Sequence, residues 1–170
     1  MSTGSPIVIR SERPGDEPDV RRVLDEAFAG PEEGELVERL RANGDLVLAL
    51  VALDGGKVAG YVAWPRLWIE TPRDEYKAIA LAPLAVAPSR QRDGIGSALT
   101  REGLAQLRAF GESIVFVLGD PAYYGRFGFT AEAASGYGST YSGVHFMALR
   151  LNASPPPHGR VRYPAAFDAG

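Results

Sequence analysis

At 170 residues with 45% of them apolar, the chain has material for one full hydrophobic core and is cramped for two independent domains. A formal charge of −3 argues against a general nucleic-acid binder, whose affinity would come from clustered Lys and Arg. The absence of Cys removes disulfides, thiolate nucleophiles and Cys-ligated metals, and two distant His make no zinc site, so no metal is expected.

Ile7 to Arg10 is short and β-rich, and the Pro14-Gly15-Asp16 break after it offers Asp16 or Asp19 as a helix N-cap. From Pro18 onward Val20, Val23, Leu24, Ala27 and Phe28 fall at helical spacing until Gly30-Pro31 stops the pattern. Glu32 to Asn43 repeats it with Leu36, Val37 and Leu40, and Gly44 ends it. The acidic run Glu32, Glu33, Glu35, Glu38 has two readings, a lure for a cationic amine and a solvated helix face, and the second is preferred. Leu46 to Leu53 is apolar and β-branched, and Asp54-Gly55-Gly56 joins it as a hairpin to a strand from Lys57 to Trp64 that continues past Pro65 to Ile69. A fourth strand is expected over Tyr76 to Val86. Proline cannot donate to a sheet ladder, so Pro83 marks a place where that strand lacks one neighbour.

Ile95 to Phe110 is amphipathic, with Gly103 inside it signalling either close helix-to-sheet approach or tolerance. Ile114 to Leu118 is a buried strand by composition, which completes a strand–helix–strand crossover. Asp120-Pro121 starts a short helical turn through Tyr124, Gly128 ends it, and Val144 to Leu151 reads as a last strand. The prolines at 155 to 157 make a stiff linker, and Tyr163, Ala166 and Phe167 are anchors by which a tail, residues 153–170, packs back on a domain formed by 1–152. The N-terminus has no basic-then-apolar leader and no stretch spans a bilayer, so a cytoplasmic protein without a membrane partner is expected.

The segment Pro83 to Leu99 carries the chemistry. It runs through a basic, Gly-rich turn into a helix whose first amides lack partners, and Arg90 and Arg92 stand beside it, so a phosphate is the expected anion. A dinucleotide-binding turn would place a third Gly where Leu99 stands and would follow the strand at once. A nucleotide P-loop needs Gly-Lys followed by Ser or Thr, which is absent.

Gln91-Arg92-Asp93-Gly94-Ile95-Gly96, following Leu84-Ala85-Val86-Ala87-Pro88, resembles the acyl-CoA signature of the GNAT superfamily of N-acetyltransferases. The order of elements over about the first 150 residues matches that family, and Tyr124-Gly125-Arg126-Phe127-Gly128-Phe129 is similar to its Tyr-x-x-x-Gly-Phe, closest to the YhbS-like branch. Arg92 departs from the pattern, since many members carry Gly there.

The resemblance implies an α+β fold with a mixed, mostly antiparallel central sheet flanked by helices and a V-shaped opening between the fourth strand and the fifth. It also implies acetyl-CoA as cosubstrate. Leu84, Ala85 and Val86 would then meet the pantetheine arm, and Gln91, Arg92, Asp93, Gly94, Ile95, Gly96 and Ser97 would hold the pyrophosphate. Tyr124 would protonate the departing thiolate and contact the cofactor, a donation a phenol near pKa 10 can make to a thiol near 8.5. The activity implied is acetyl transfer to a primary amine of a small molecule or protein. The alternative is a non-catalytic acyl-CoA sensor. For the general base Glu70, Glu75, Tyr61 and water stay open, and His145 reads as structural. Apolar residues around Trp64, Leu67 and Trp68 are expected at the surface, where they form a homodimer interface or roof the acceptor pocket.

Overall fold

The computed structural model describes residues 6–152 and 155–168. Its elements in chain order are β1 (Ile7–Ser11), α1 (Glu17–Phe28), α2 (Glu32–Ala42), β2 (Leu46–Asp54), β3 (Lys57–Glu70), β4 (Glu75–Ala80), β5 (Leu84–Val86), α3 (Ile95–Ala109), β6 (Ile114–Leu118), α4 (Pro121–Tyr124), α5 (Ala131–Ala134), β7 (Tyr137–Gly138), β8 (Phe146–Arg150) and β9 (Gly159–Arg162). Single 3-10 turns follow β5, α4 and β9. This is an open α+β sheet in the order β1-β2-β3-β4-β6-β8. The β4–β6 and β7–β9 pairs are parallel and the others antiparallel.

Both faces of the sheet are covered, and alternation along each strand sends neighbouring side chains to opposite sides. Val62, Trp64, Ile79, Val115 and Val117 pack under Leu99, Leu104 and Leu107 of α3. Tyr61 and Ala63 face Val20, Val23, Leu24 and Val37 of α1 and α2. Leu67, Ile69, Ala78, Phe116 and Val161 form a further cluster on β3, β4, β6 and β9. Gly103 is a close approach: a Cβ built there would lie 2.2 Å from Trp64 Cζ2. Trp64 and Leu67, expected at the surface, are therefore fully buried, because α3 covers one face of β3 and the chain's end covers the other.

Asp16 stands at the N-cap of α1 but its carboxylate is spent elsewhere. It accepts bonds from Arg10 at 2.7 and 3.0 Å and from the Arg13 N–H at 2.7 Å, which ties β1 to α1. The Arg10 guanidinium holds this carboxyl below the usual range.

The fourth strand is not continuous. β4 pairs with β3 over Arg66–Glu70, β5 pairs with β3 over Gly60–Val62, and Leu81 to Pro83 form an irregular link between them, with a cis peptide at Ala82–Pro83. Ala82 N–H donates to Ala63 O and Ala63 N–H to Pro83 O, both at 3.1 Å, so the link stays on β3. On its other side β4 meets β6 only at Ile79↔Val115 and Ala80↔Phe116, with one more bond from Leu81 N–H to Phe116 O at 2.9 Å. Beyond that point β5 remains with β3 while Val117 and Leu118 remain with β8. The sheet opens there as a V.

The tail contributes a strand that sequence patterning did not reveal. β9 pairs with Trp68–Glu70 of β3, on the edge that β2 leaves free beyond Pro65, and with β7.

Candidate active site

Two cavities flank β5. The first, about 280 Å³, is lined by Val86, Gln91, Arg92, Gly94, Ile95, Gly96, Ser97, Tyr123 and Arg126. It sits at the start of α3, whose first internal bond runs from Ala98 N–H to Gly94 O at 3.0 Å. The preceding amides of that helix therefore have no helical acceptor, and the macrodipole favours an anion before them. Arg92 and Gly94 both take left-handed backbone angles, φ 71° and 84°, so the chain curls around this point and turns successive N–H groups to one side. Gly96 keeps the floor low: a Cβ there would come within 3.0 Å of the Tyr123 hydroxyl and 3.6 Å of Val86 Cγ2. The opposite wall is Tyr123 with the Arg126 guanidinium 4.6 Å from its ring centroid. Arg126 Nη2 and the Tyr123 hydroxyl each lie 3.5 Å from Ser97 Oγ.

The second cavity, about 330 Å³, occupies the V-shaped opening, with Ala80 to Leu84 on one side and Phe116 to Leu118 with Tyr124 on the other. Leu84 thus borders one cavity and Val86 the other. In an antiparallel ladder alternate residues face the partner strand. Ala87 N–H bonds Ala59 O at 2.8 Å and Pro83 O accepts from Ala63, so the main-chain groups of Leu84 and Val86 point away from β3. Gln91 Nε2 takes one of them, Val86 O, at 3.2 Å.

Tyr124 reaches the opening from α4. Asp120 caps that turn by accepting the Ala122 N–H at 3.0 Å. The Tyr124 ring stands edge-on to Tyr123 at 4.9 Å and to Phe129 at 6.0 Å, and packs against Gly119, where a Cβ would be 2.5 Å from Tyr124 Cε2. Burial, with a smaller contribution from Tyr123, pushes its phenol up to about 12. It is a neutral O–H at physiological pH, and no hydrogen bond to it is made among the described residues.

The remaining expected residues lie elsewhere. Ala85 is buried against α1 and α2 rather than turned to the opening. Asp93 is held by Arg90 at 3.0 Å, and Arg90 also pairs with Asp54, which draws it away from the anion cavity. Glu70 and Glu75 both bind Arg162, at 3.2 and 3.0 Å, on the outer end of β3 and β4, and neither lines the opening. Tyr61 is fully buried beneath α1 and α2, its hydroxyl without a partner among the described residues. His145 precedes β8, with Nδ1 3.1 Å from Gly119 O.

The family model for the acetyltransferase (GNAT) domain matches residues 8–131. The chain belongs to the GNAT family. It is 40% identical over 128 residues to the uncharacterized N-acetyltransferase YhbS of Escherichia coli K12, covering 75% of each chain. To the uncharacterized N-acetyltransferase YjhQ of the same organism it is 37% identical over 129 residues, 74% of this chain and 71% of that one. The crystal structure of Escherichia coli YhbS in complex with CoA superposes with a TM-score of 0.87 at 35% identity, over 96% of this chain and 92% of that one. A GNAT family acetyltransferase from Brucella melitensis in complex with acetyl-CoA gives 0.81 at 39% identity, over 96% and 99%. The protein is an acetyltransferase of the YhbS-like branch.

Three features of this GNAT site escaped the sequence reading. Tyr123 and Arg126 join Ser97 only because α4 folds back onto the start of α3, a contact no local pattern announces. Tyr141, Tyr163 and Phe167 arrive at the opening from loop and tail. Glu33, read as part of a solvated run, lines the opening with Leu36. Its helical phase carried a signal, since Glu33 stands four and seven positions before the buried Val37 and Leu40.

Proposed function

We propose that the chain transfers an acetyl group from acetyl-CoA directly to a primary amine. The observation that carries this is β5 running between a basic, amide-lined cavity and an opening that holds a neutral phenol. CoA and acetyl-CoA accompany the two relatives of highest structural similarity given above, and the residues here fit such a ligand. The bare floor at Gly96 leaves space for a pyrophosphate between the α3 amides and Arg92 and Arg126. Leu84 and the Val86 N–H present main-chain groups turned away from β3 to an extended arm.

When bound, the donor supplies an acyl carbon activated as a thioester. The Leu84 and Val86 amides orient it and polarise its carbonyl. The neutral amine nitrogen forms the new bond to that carbon, the carbon–sulfur bond breaks, and sulfur leaves with the electron pair. Tyr124 gives its proton to the sulfur and recovers one as the new amide nitrogen sheds its surplus proton. Residues 1–152 carry this chemistry and the tail closes the acceptor side of the same domain.

Calorimetry and a thiol-release assay test the reading together. The wild type binds acetyl-CoA, and Tyr124→Phe keeps that affinity while CoA release with an amine falls about 100-fold. Well-folded protein that shows no acetyl-CoA binding overturns the proposal.

A further inference from the structure

The opening has two kinds of wall. The sheet side is the place of reaction just described. The other side is built from four separate segments: Phe28 at the end of α1, Glu33 and Leu36 in α2, Tyr141 before β8, and Tyr163 and Phe167 in the tail. The loop and tail rings brace one another, Tyr141 against Tyr163 at 5.1 Å and 84° and Tyr163 against Phe167 at 5.1 Å and 63°. Phe28 leaves 40% of its surface open, a large apolar area for a side chain at a cavity mouth.

Among the described residues Glu33 is the only carboxylate on this lining, and no Lys, Arg or His lines it. Its neighbours on α2 are engaged: Glu35 faces Arg39 at 3.8 Å and Glu38 binds Arg21 at 2.8 Å. Glu33 has no ion pair or hydrogen bond among the described residues. One acid set among rings and aliphatic carbon recognises one cation on an apolar body. A second ammonium would find no counter-charge, and a hydroxyl-rich acceptor would lose hydration against Phe28, Leu36 and Phe167. The volume, about 330 Å³, must also admit the acetyl group, so the acceptor is small.

Resting on the acetyl-transfer reading, we infer that the acceptor is a small primary amine borne on a flat apolar group, of the arylalkylamine class. Its ammonium meets Glu33, which takes the proton the nitrogen must lose before it attacks, and its ring packs on the Phe28, Tyr163 and Phe167 side.

The test measures CoA thiol release by the full chain with phenethylamine, with 1,4-diaminobutane and with a lysine-containing peptide, alongside acetyl-CoA calorimetry. Phenethylamine is expected to exceed both others in kcat/KM by about tenfold or more, the factor that burying a ring supplies. Glu33→Gln, a half-buried position that keeps its size, lowers kcat/KM for phenethylamine about tenfold, with KM rising and acetyl-CoA affinity unchanged. Phe167→Ala narrows the preference over 1,4-diaminobutane. If acetyl-CoA binds but the diamine or the peptide is used as well as phenethylamine, or no amine of the three is used, the acceptor class is wrong while donor binding stands. An unchanged Glu33→Gln profile removes Glu33 from the role. Failure to bind acetyl-CoA is a separate result that sinks the transfer reading itself.

Discussion

The raised Tyr124 phenol has a sign that can be followed in two measurements. Because folding favours its protonated form, its contribution to stability is complete below about pH 10 and is lost as the pH climbs from there towards 12. The same shift keeps the proton donor loaded, so thiol release is expected to hold through pH 10, where a solvated phenol is half ionised; a half-loss near pH 10 would contradict the assignment. Gly96→Ala separates grip from fold. Alanine favours the helix by about 1 kcal/mol, so the melting temperature should not fall, yet the new methyl, 3.0 Å from the Tyr123 hydroxyl, enters the anion cavity. Acetyl-CoA affinity by calorimetry is expected to drop about tenfold, roughly 1.4 kcal/mol. The glycines of this turn were legible in the sequence because their reason is local: a curl before a helix. Arg126 was not, because its place depends on α4 lying across α3, and neither Arg90 nor Asp93 betrayed in sequence that they would neutralise each other.

Among the elements, α3 and β3 make the tightest contact described. Gly103→Ala sets helix propensity against collision with a rigid indole at 2.2 Å, and the collision wins. A net loss of about 1–3 kcal/mol is expected, seen as a melting point lower by roughly 2–4 °C per kcal/mol, and a melting point at or above wild type would refute the close-packing account. Periodicity gave α1, α2 and α3 because each signal repeats within one element, and turn residues gave the Gly55-Gly56 hairpin, whereas the four-residue α5 is too short to show a period. Periodicity ran β4 and β5 together, because composition stays apolar from Ala78 to Val86 while the break is the irregular Leu81–Pro83 link between their two stretches of pairing with β3. It missed β9 for the opposite reason: Gly-Arg-Val-Arg offers only Val161 as an inward residue, and its strand character comes from β3.

For the whole molecule, β3 is the spine. One of its edges is taken first by β2 and then by β9, the other first by β5 and then by β4. Fold class was legible because the order of elements is written linearly in the chain; closure of the acceptor side was not, since it joins the first helices to the last residues. A chain ending at residue 152 should keep the anion cavity and acetyl-CoA binding while losing two of the aromatic residues of the acceptor wall, which raises the amine KM. The spine also sets a schedule for the growing polypeptide. Trp68 to Glu70 wait with one row of backbone groups vacant until residues 159–162 are made. A vacant row of that kind is a template for a strand from another molecule. Chains released before residue 159 are thus expected to associate at micromolar concentration in a sedimentation experiment, whereas β9 shields this edge once residues 159–162 are in place.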